Sequence, residues 1–197
     1  MIKPIPREKV EAGITLCLNR VDEYLLDAEH LISQRDTSEG TLHNTTILLT
    51  FAVEELGKAI ILRKRCEEQP SAELVQVEYE AFGGRDARDH KQSEAFKLID
   101  VILRQLHNRQ DSGIEDVGIS PDTRLKLSFV DFEDGGWVSP TPIEPQRLRA
   151  IIVGAKEAVK SERALEKRLE RTDSQMAVES GDRGLPKEKR RSTMTRS

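Results

Sequence analysis

The sequence predicts a mainly α protein, an antiparallel bundle of about five helices with a small β-ribbon inserted before the last helix and a disordered polar tail after it. Apolar residues recur at three- and four-residue steps along most of the chain, the pattern of helices that each bury one face. Of 197 residues, 37% are hydrophobic and 34% charged, a balance that suits long amphipathic helices better than a sheet core. From Ile47 to Leu62 only Thr50, Glu54, Glu55 and Lys58 are polar, so this helix should run through the middle of the bundle.

After Pro6, the residues Val10, Ile14, Cys17, Val21, Tyr24, Ala28 and Leu31 keep helical spacing, which predicts a first helix ending near Arg35. Asp36-Thr37-Ser38 supplies turn and cap chemistry for a second helix from Glu39 to Glu68. So short a link makes the two an antiparallel hairpin. Pro70-Ser71 stops the second helix and opens a shorter one, Ala72 to Phe82, which Gly83-Gly84 ends. A fourth, Asp86 to His107, has Ala95, Leu98, Ile99, Ile102 and Leu106 on its apolar face.

Between Asn108 and Pro145, Gly, Asp, Ser and Pro accumulate. The run Leu125 to Val130 alternates with period two, Asp134-Gly135-Gly136 reads as a turn, and Trp137-Val138 is placed to return as a second strand. Helical spacing resumes at Glu144, through Leu148, Ile151, Ile152, Ala155, Ala158, Val159, Leu165 and Leu169. Beyond Thr172 apolar residues are too sparse for packing, so residues 173–197 read as a disordered tail. Its run Lys187-Glu188-Lys189-Arg190-Arg191 offers charge that could touch RNA or phosphate, but it is short and interrupted, which favours a solvated tail. Residues 1–172 form one domain, with 108–143 as the loop and ribbon insertion.

The net charge of −4 argues against a general polyanion-binding surface, and no DNA partner is expected. The two cysteines, Cys17 and Cys66, form no CxxC pair, so neither a zinc site nor a disulfide framework follows. Residues 1–10 lack the apolar run of a signal peptide, and no stretch approaches the length of a membrane span. The expectation is a soluble, cytoplasmic protein with no membrane partner.

Charge inside an apolar helix needs compensation. On a seam drawn through Leu48, Ala52, Ala59 and Leu62, Glu55 falls in the core, while Glu54 and Lys58 share a neighbouring face. The alternatives are an ordinary Glu54 to Lys58 pair with a core ion pair at Glu55, or a polar site built on these groups. Gly57 among them implies close approach of a neighbouring helix.

A second cluster is Arg85-Asp86-Ala87-Arg88-Asp89-His90, followed by Lys91. Arginine at a helix start can hold a phosphate, and a histidine four intervening residues later can move a proton near neutral pH. The bland alternative is a surface arginine with an incidental histidine. At about 100° per residue, His90 lies roughly 150° from the centre of the apolar face, so it should point outward and Lys91 inward, toward Glu55. Asp27 and His30 have a spacing used in di-iron bundles, but no second copy exists. No metal site and no cofactor are expected, and His43 and His107 read as helix-end residues.

Taken together, these segments resemble the AbiV-type abortive-infection family of the HEPN superfamily. The resemblance runs along most of Val10 to Val159: Leu25-Leu26-Asp27-Ala28 with Leu31, then Phe51-Ala52-Val53-Glu54-Glu55-Leu56-Gly57-Lys58, then Asp89-His90-Lys91. It continues from Arg124 to Asp131 and in Trp137-Val138-Ser139-Pro140. It implies a HEPN-like bundle, usually homodimeric, with a role in bacterial antiphage defence. In active HEPN ribonucleases an Arg-x4–6-His motif with a polar residue after the arginine cleaves RNA without metal across a dimer interface. Arg85, Asp86 and His90 match that motif. The chain departs from the family where Gln92-Ser93 stand in place of a further lysine.

The reading that follows is an abortive-infection effector acting on RNA or translation. Arg85 and His90 would be catalytic, and Glu54, Glu55, Lys58 and Lys91 the supporting charges. The alternative is a non-catalytic HEPN-like module that sequesters a phage or host protein; a third is a structural bundle subunit.

Overall fold

The computed structural model describes residues 2–34, 38–78, 85–107, 131–133, 136–138 and 143–181, with side chains described outside 85–89, 107, 131–138 and 169–181. Four helices carry the described fold: α1 (Arg7–Ile32), α2 (Glu39–Glu68), α3 (Arg85–His107) and α4 (Pro145–Gly181). Strands β1 (Ile2–Pro6) and β2 (Leu74–Glu78) pair antiparallel with Ile2 opposite Glu78 and Pro6 opposite Leu74. A second ribbon joins β3 (Asp131–Glu133) to β4 (Gly136–Val138), with Phe132 opposite Trp137. The protein is therefore mainly α. Among the described residues no helix is long and apolar enough to cross a membrane.

The core lies where the four helices meet. From α1 come Val10, Ile14, Leu18, Val21, Leu25, Ala28 and Ile32, a stripe rotated slightly from the expected one, with Cys17 and Tyr24 on its flank. Helix α2 buries residues nearly all round, among them Leu49, Val53, Leu56 and Ile60. Its buried Thr45, Thr46 and Thr50 donate their hydroxyls to the carbonyls of Thr41, Leu42 and Thr46, at 2.8, 2.8 and 2.9 Å. Polar atoms are thus satisfied within the helix and cost little to bury. Ser38 caps α2 by accepting from the Thr41 amide at 3.2 Å, and Pro145 occupies the first position of α4, where its missing N–H is harmless.

Two glycines set helix spacing. A Cβ on Gly57 would stand 2.0 Å from the Lys91 carbonyl oxygen, so α3 crosses α2 backbone against backbone at this point. At Gly154 a Cβ would meet Ile99 at 2.7 Å and Leu103 at 3.0 Å, which lets α4 close on α3. The buried Glu162 of α4 accepts from the Arg63 guanidinium at 2.5 Å, and Arg63 also meets Glu67 at 2.6 Å. Burial works against the arginine charge, but these carboxylates more than offset it, and the Arg63 pKa lies above its usual value.

Several expectations need correction. The sequence predicts a helix from Ala72 to Phe82, yet Leu74–Glu78 is a strand. Val75 and Val77 alternate buried with exposed neighbours, a period-two pattern that pairing with β1 satisfies. The predicted helix after Glu144 extends past Thr172 to Gly181, so residues 173–181 are helical, while 182–197 lie outside the described residues. On α3 the predicted Ala95 and Ile99 are buried and Leu98 and Ile102 pack against the core, but Leu106 is exposed and Leu103 is buried in its place. The predicted strand Leu125 to Val130 lies outside the described residues, whereas Trp137-Val138 is in a strand as expected.

Arg7 anchors the ribbon to the bundle. Its guanidinium donates to the carbonyls of Ala72 at 3.1 Å, Cys66 at 3.3 Å and Gln69, all at the end of α2 or just after it. Helix ends leave carbonyls without intrahelical donors, and Arg7 supplies them. The Gln69 side chain then accepts from the Gln76 amide at 2.9 Å and ties β2 to the same point.

The Gly57 contact yields a stability prediction. Gly57→Ala should lower the unfolding free energy by about 2 kcal/mol, because overpacking outweighs the gain of about 1 kcal/mol in helix propensity. Gly13→Ala, whose Cβ would meet only Leu62 at 3.6 Å, should be neutral or stabilising. Urea unfolding of the two variants tests the pair; equal midpoints would show that α3 does not rest on Gly57.

Candidate functional site

The close approach at Gly57 decides which way the start of α3 presents its side chains. Lys91, whose backbone rests on Gly57, turns its side chain inward and is 3% exposed. Its neighbour His90 is exposed. The inward lysine and outward histidine match the helical arithmetic of the sequence. The predicted cluster is consequently split into an inner group and an outer one.

The inner group gathers around Cys17. Glu55 forms an ion pair with Lys58 of its own helix and a hydrogen bond with the Cys17 thiol, while Lys58 and Lys91 both act on that thiol electrostatically. Burial first, and then Glu55, push the Cys17 pKa up to about 12, with Lys58 and Lys91 pulling the other way. At neutral pH the thiol is protonated and is no nucleophile.

The expected seam position of Glu55 is corrected. Its side chain keeps 22% exposure and its ion-pair partner is Lys58, one turn along α2. The centre of the buried face runs through Leu49, Val53, Leu56 and Ile60, which leaves Glu55 on the flank toward α1. Lys58 accordingly meets Glu55 rather than Glu54. Glu54 accepts from the buried Gln92 side chain at 3.2 Å and links α2 to α3. Gln92 therefore helps to hold the helices together.

The outer group forms a cleft of about 190 Å³ between α2 and α3, lined by His90 with Ile61, Lys64, Arg65, Glu68 and Glu94. Lys64 forms an ion pair with Glu94 across the cleft, and Lys97 meets the same carboxylate at 2.8 Å. Arg65 reaches Glu68 at 2.8 Å and Glu78 of β2 at 3.1 Å. Hydrogen bonds from Lys64 and then Lys97 hold the Glu94 carboxyl down to about 2, against a smaller opposing effect of burial. Arg85 is the first residue of α3; its side chain lies outside the described residues.

This arrangement places a solvent-open imidazole beside two cations and two carboxylates. Such a cleft can accept a phosphate if the cations exchange carboxylate partners for it, and the histidine can then carry a proton. Sequence reasoning missed Lys64, Arg65 and Glu94. Only Glu94 had a local signal, one helical turn beyond His90 on the same face. Asp27 and His30 are both exposed on α1, and among the described residues no three His, Cys, Asp or Glu side chains converge in a metal-holding group.

Comparison with protein-family models, with curated proteins and with solved structures found no match to this chain.

Glu94 makes stability depend on acid pH. Its carboxyl is held down from the ordinary 4.5 to about 2 in the folded protein, so its contribution is fully present above about pH 4.5 and is lost as pH falls toward 2. Glu94→Gln should therefore flatten the loss of stability between pH 4.5 and 2 measured by urea unfolding. An unchanged slope in that window would mean that the Lys64 and Lys97 contacts are absent in solution.

Proposed function

We propose that the protein is an abortive-infection effector with a HEPN-like bundle, acting as a metal-independent ribonuclease at the cleft between α2 and α3. The observation that carries this reading is His90, exposed at the start of α3 in a cleft with Lys64 and Arg65. In this scheme Arg85 holds the scissile phosphate and His90 takes the proton from the ribose 2′-hydroxyl. The 2′-oxygen attacks phosphorus, the bond to the 5′-oxygen breaks as that oxygen takes up a proton from water to leave as a 5′-hydroxyl, and a 2′,3′-cyclic phosphate remains. Glu54, Glu55, Lys58 and Lys91 support the site by holding α2, α3 and α1 in place.

The reading includes a homodimer joined along α3. Val101 is 49% exposed, and eleven residues of helix return it to within about 20° of His90. An exposed apolar residue on that face fits association through it. A second copy would bring another Arg85 and His90 to the same cleft.

The paired state of Lys64 and Arg65 favours a second reading, a binding module without catalysis. Each already meets a carboxylate, as in a purely structural network. The two readings part in one assay. Purified protein incubated with total RNA in EDTA should produce ends carrying 2′,3′-cyclic phosphate. His90→Ala should slow cleavage by about 10²–10⁴-fold without lowering the melting temperature, since the imidazole lies outside the core. RNA left intact by a protein that still blocks phage in cells would exclude the ribonuclease and favour the binding module.

A further inference from the structure

The most enclosed charged side chain of the His90 cleft is an anion. Glu94 is 11% exposed, whereas Lys64, its partner from α2, is 49% exposed. Glu94 lies one turn beyond His90 on α3, a rise of about 6 Å, and both side chains line the same cleft. Lys97, which stands outside the cleft lining and is 68% exposed, holds the same carboxylate at 2.8 Å. Glu94 is therefore gripped by two ammonium groups, one from each helix.

The cleft is neutralised from within. An RNA phosphate arriving beside His90 meets Lys64 already engaged with Glu94, and Arg65 already engaged with Glu68 and Glu78. The pairs differ in how readily they yield. Arg65 sits between two carboxylates, so release from one leaves it held by the other. Lys64 is a half-exposed lysine in a pair that is worth at most about fivefold in an equilibrium. When Lys64 turns away, Lys97 stays on Glu94, so the enclosed carboxylate is not left without a countercharge.

We infer that Glu94 is an internal competitor for phosphate, holding Lys64 until an RNA phosphate beside His90 takes the lysine from it, while Lys97 keeps the carboxylate compensated. The inference rests on the reading of this cleft as an RNA site, but it does not require cleavage. Glu94 acts through Lys64 and touches no reacting atom.

Fluorescence anisotropy of the full chain with a 2′-O-methyl oligoribonucleotide tests it, because a strand without the attacking hydroxyl reports binding alone. Glu94→Gln should tighten binding about fivefold at low salt. It should also steepen the fall of log affinity with log salt by about 0.7, the increment for one added phosphate contact on a single strand. Glu68→Gln removes the same charge from the same cleft but leaves Arg65 with Glu78, and should gain less than about twofold. Lys64→Gln added to Glu94→Gln should return affinity to about the wild-type value. Equal gains from the two glutamine variants, or a gain that survives loss of Lys64, would overturn the inference. Circular dichroism shows whether Glu94→Gln is folded; if it is not, the Lys64 Nζ resonance of the wild-type protein decides, since it must move when the oligonucleotide is added, and a resonance that stays put overturns the inference. Unmodified RNA separates this inference from the reading beneath it. Tighter binding by Glu94→Gln with RNA left intact keeps the competitor and excludes the ribonuclease, whereas cleavage by the wild-type protein with no gain in Glu94→Gln does the reverse.

Discussion

The contact between Gly57 and the Lys91 backbone is the constraint on which the arrangement of the bundle turns. A helix whose side chains keep neighbours at arm's length packs with an interaxial distance of about 8–10 Å. Here a missing Cβ lets the first turns of α3 settle directly on α2. Once Lys91 is fixed there, the rotation of α3 follows. Ala95, Ile99 and Leu103 go inward, and His90 and Glu94 fall at the cleft with α2. Gly154 repeats the device one helix further on, so α3 is gripped from two sides by helices that gave up a side chain to reach it.

Around this contact the buried polar groups are held by partners in their own helix or in the element packed directly against it. The threonines of α2 use their own helix, Arg63 and Glu162 use each other, and Arg7 serves the end of α2. Removing one member of a buried ion pair leaves a charge without compensation, which costs far more than the intact pair contributes. The pair between α2 and α4 thus discriminates against sliding of the two helices more than it adds to stability. A shift by one turn would separate Arg63 from Glu162 with no second carboxylate on α4 at the required depth among the described residues.

Much of the helical frame was legible in the residues themselves. The bounds of α2 and the inward and outward assignment of Lys91 and His90 follow from spacing alone, because a regular helix turns by a constant angle. The need for Gly57 was legible too. What failed was depth. Glu55 was read as central because Ala52 and Ala59 share its stripe, but the larger Leu49, Val53, Leu56 and Ile60 define the centre. The strand at Leu74–Glu78 was missed although Val75 and Val77 alternate, because its partner lies at the other end of the paired segment, near residue 2. The cleft had no linear signature, since Lys64, Arg65 and His90 come from two helices and meet only through packing.

The Arg7 anchor joins groups 65 residues apart along the chain. Closing a loop of that length carries an entropy cost that only prior assembly can reduce. Docking of α1 on α2 lowers that cost for the pairing of β1 with β2, since the hairpin brings the two ends together and presents the carbonyls that Arg7 recognises. The two strands of the ribbon should separate by local opening at a lower free energy than the helices they rest on, and the first residues of the chain then leave the surface without disturbing the bundle beneath.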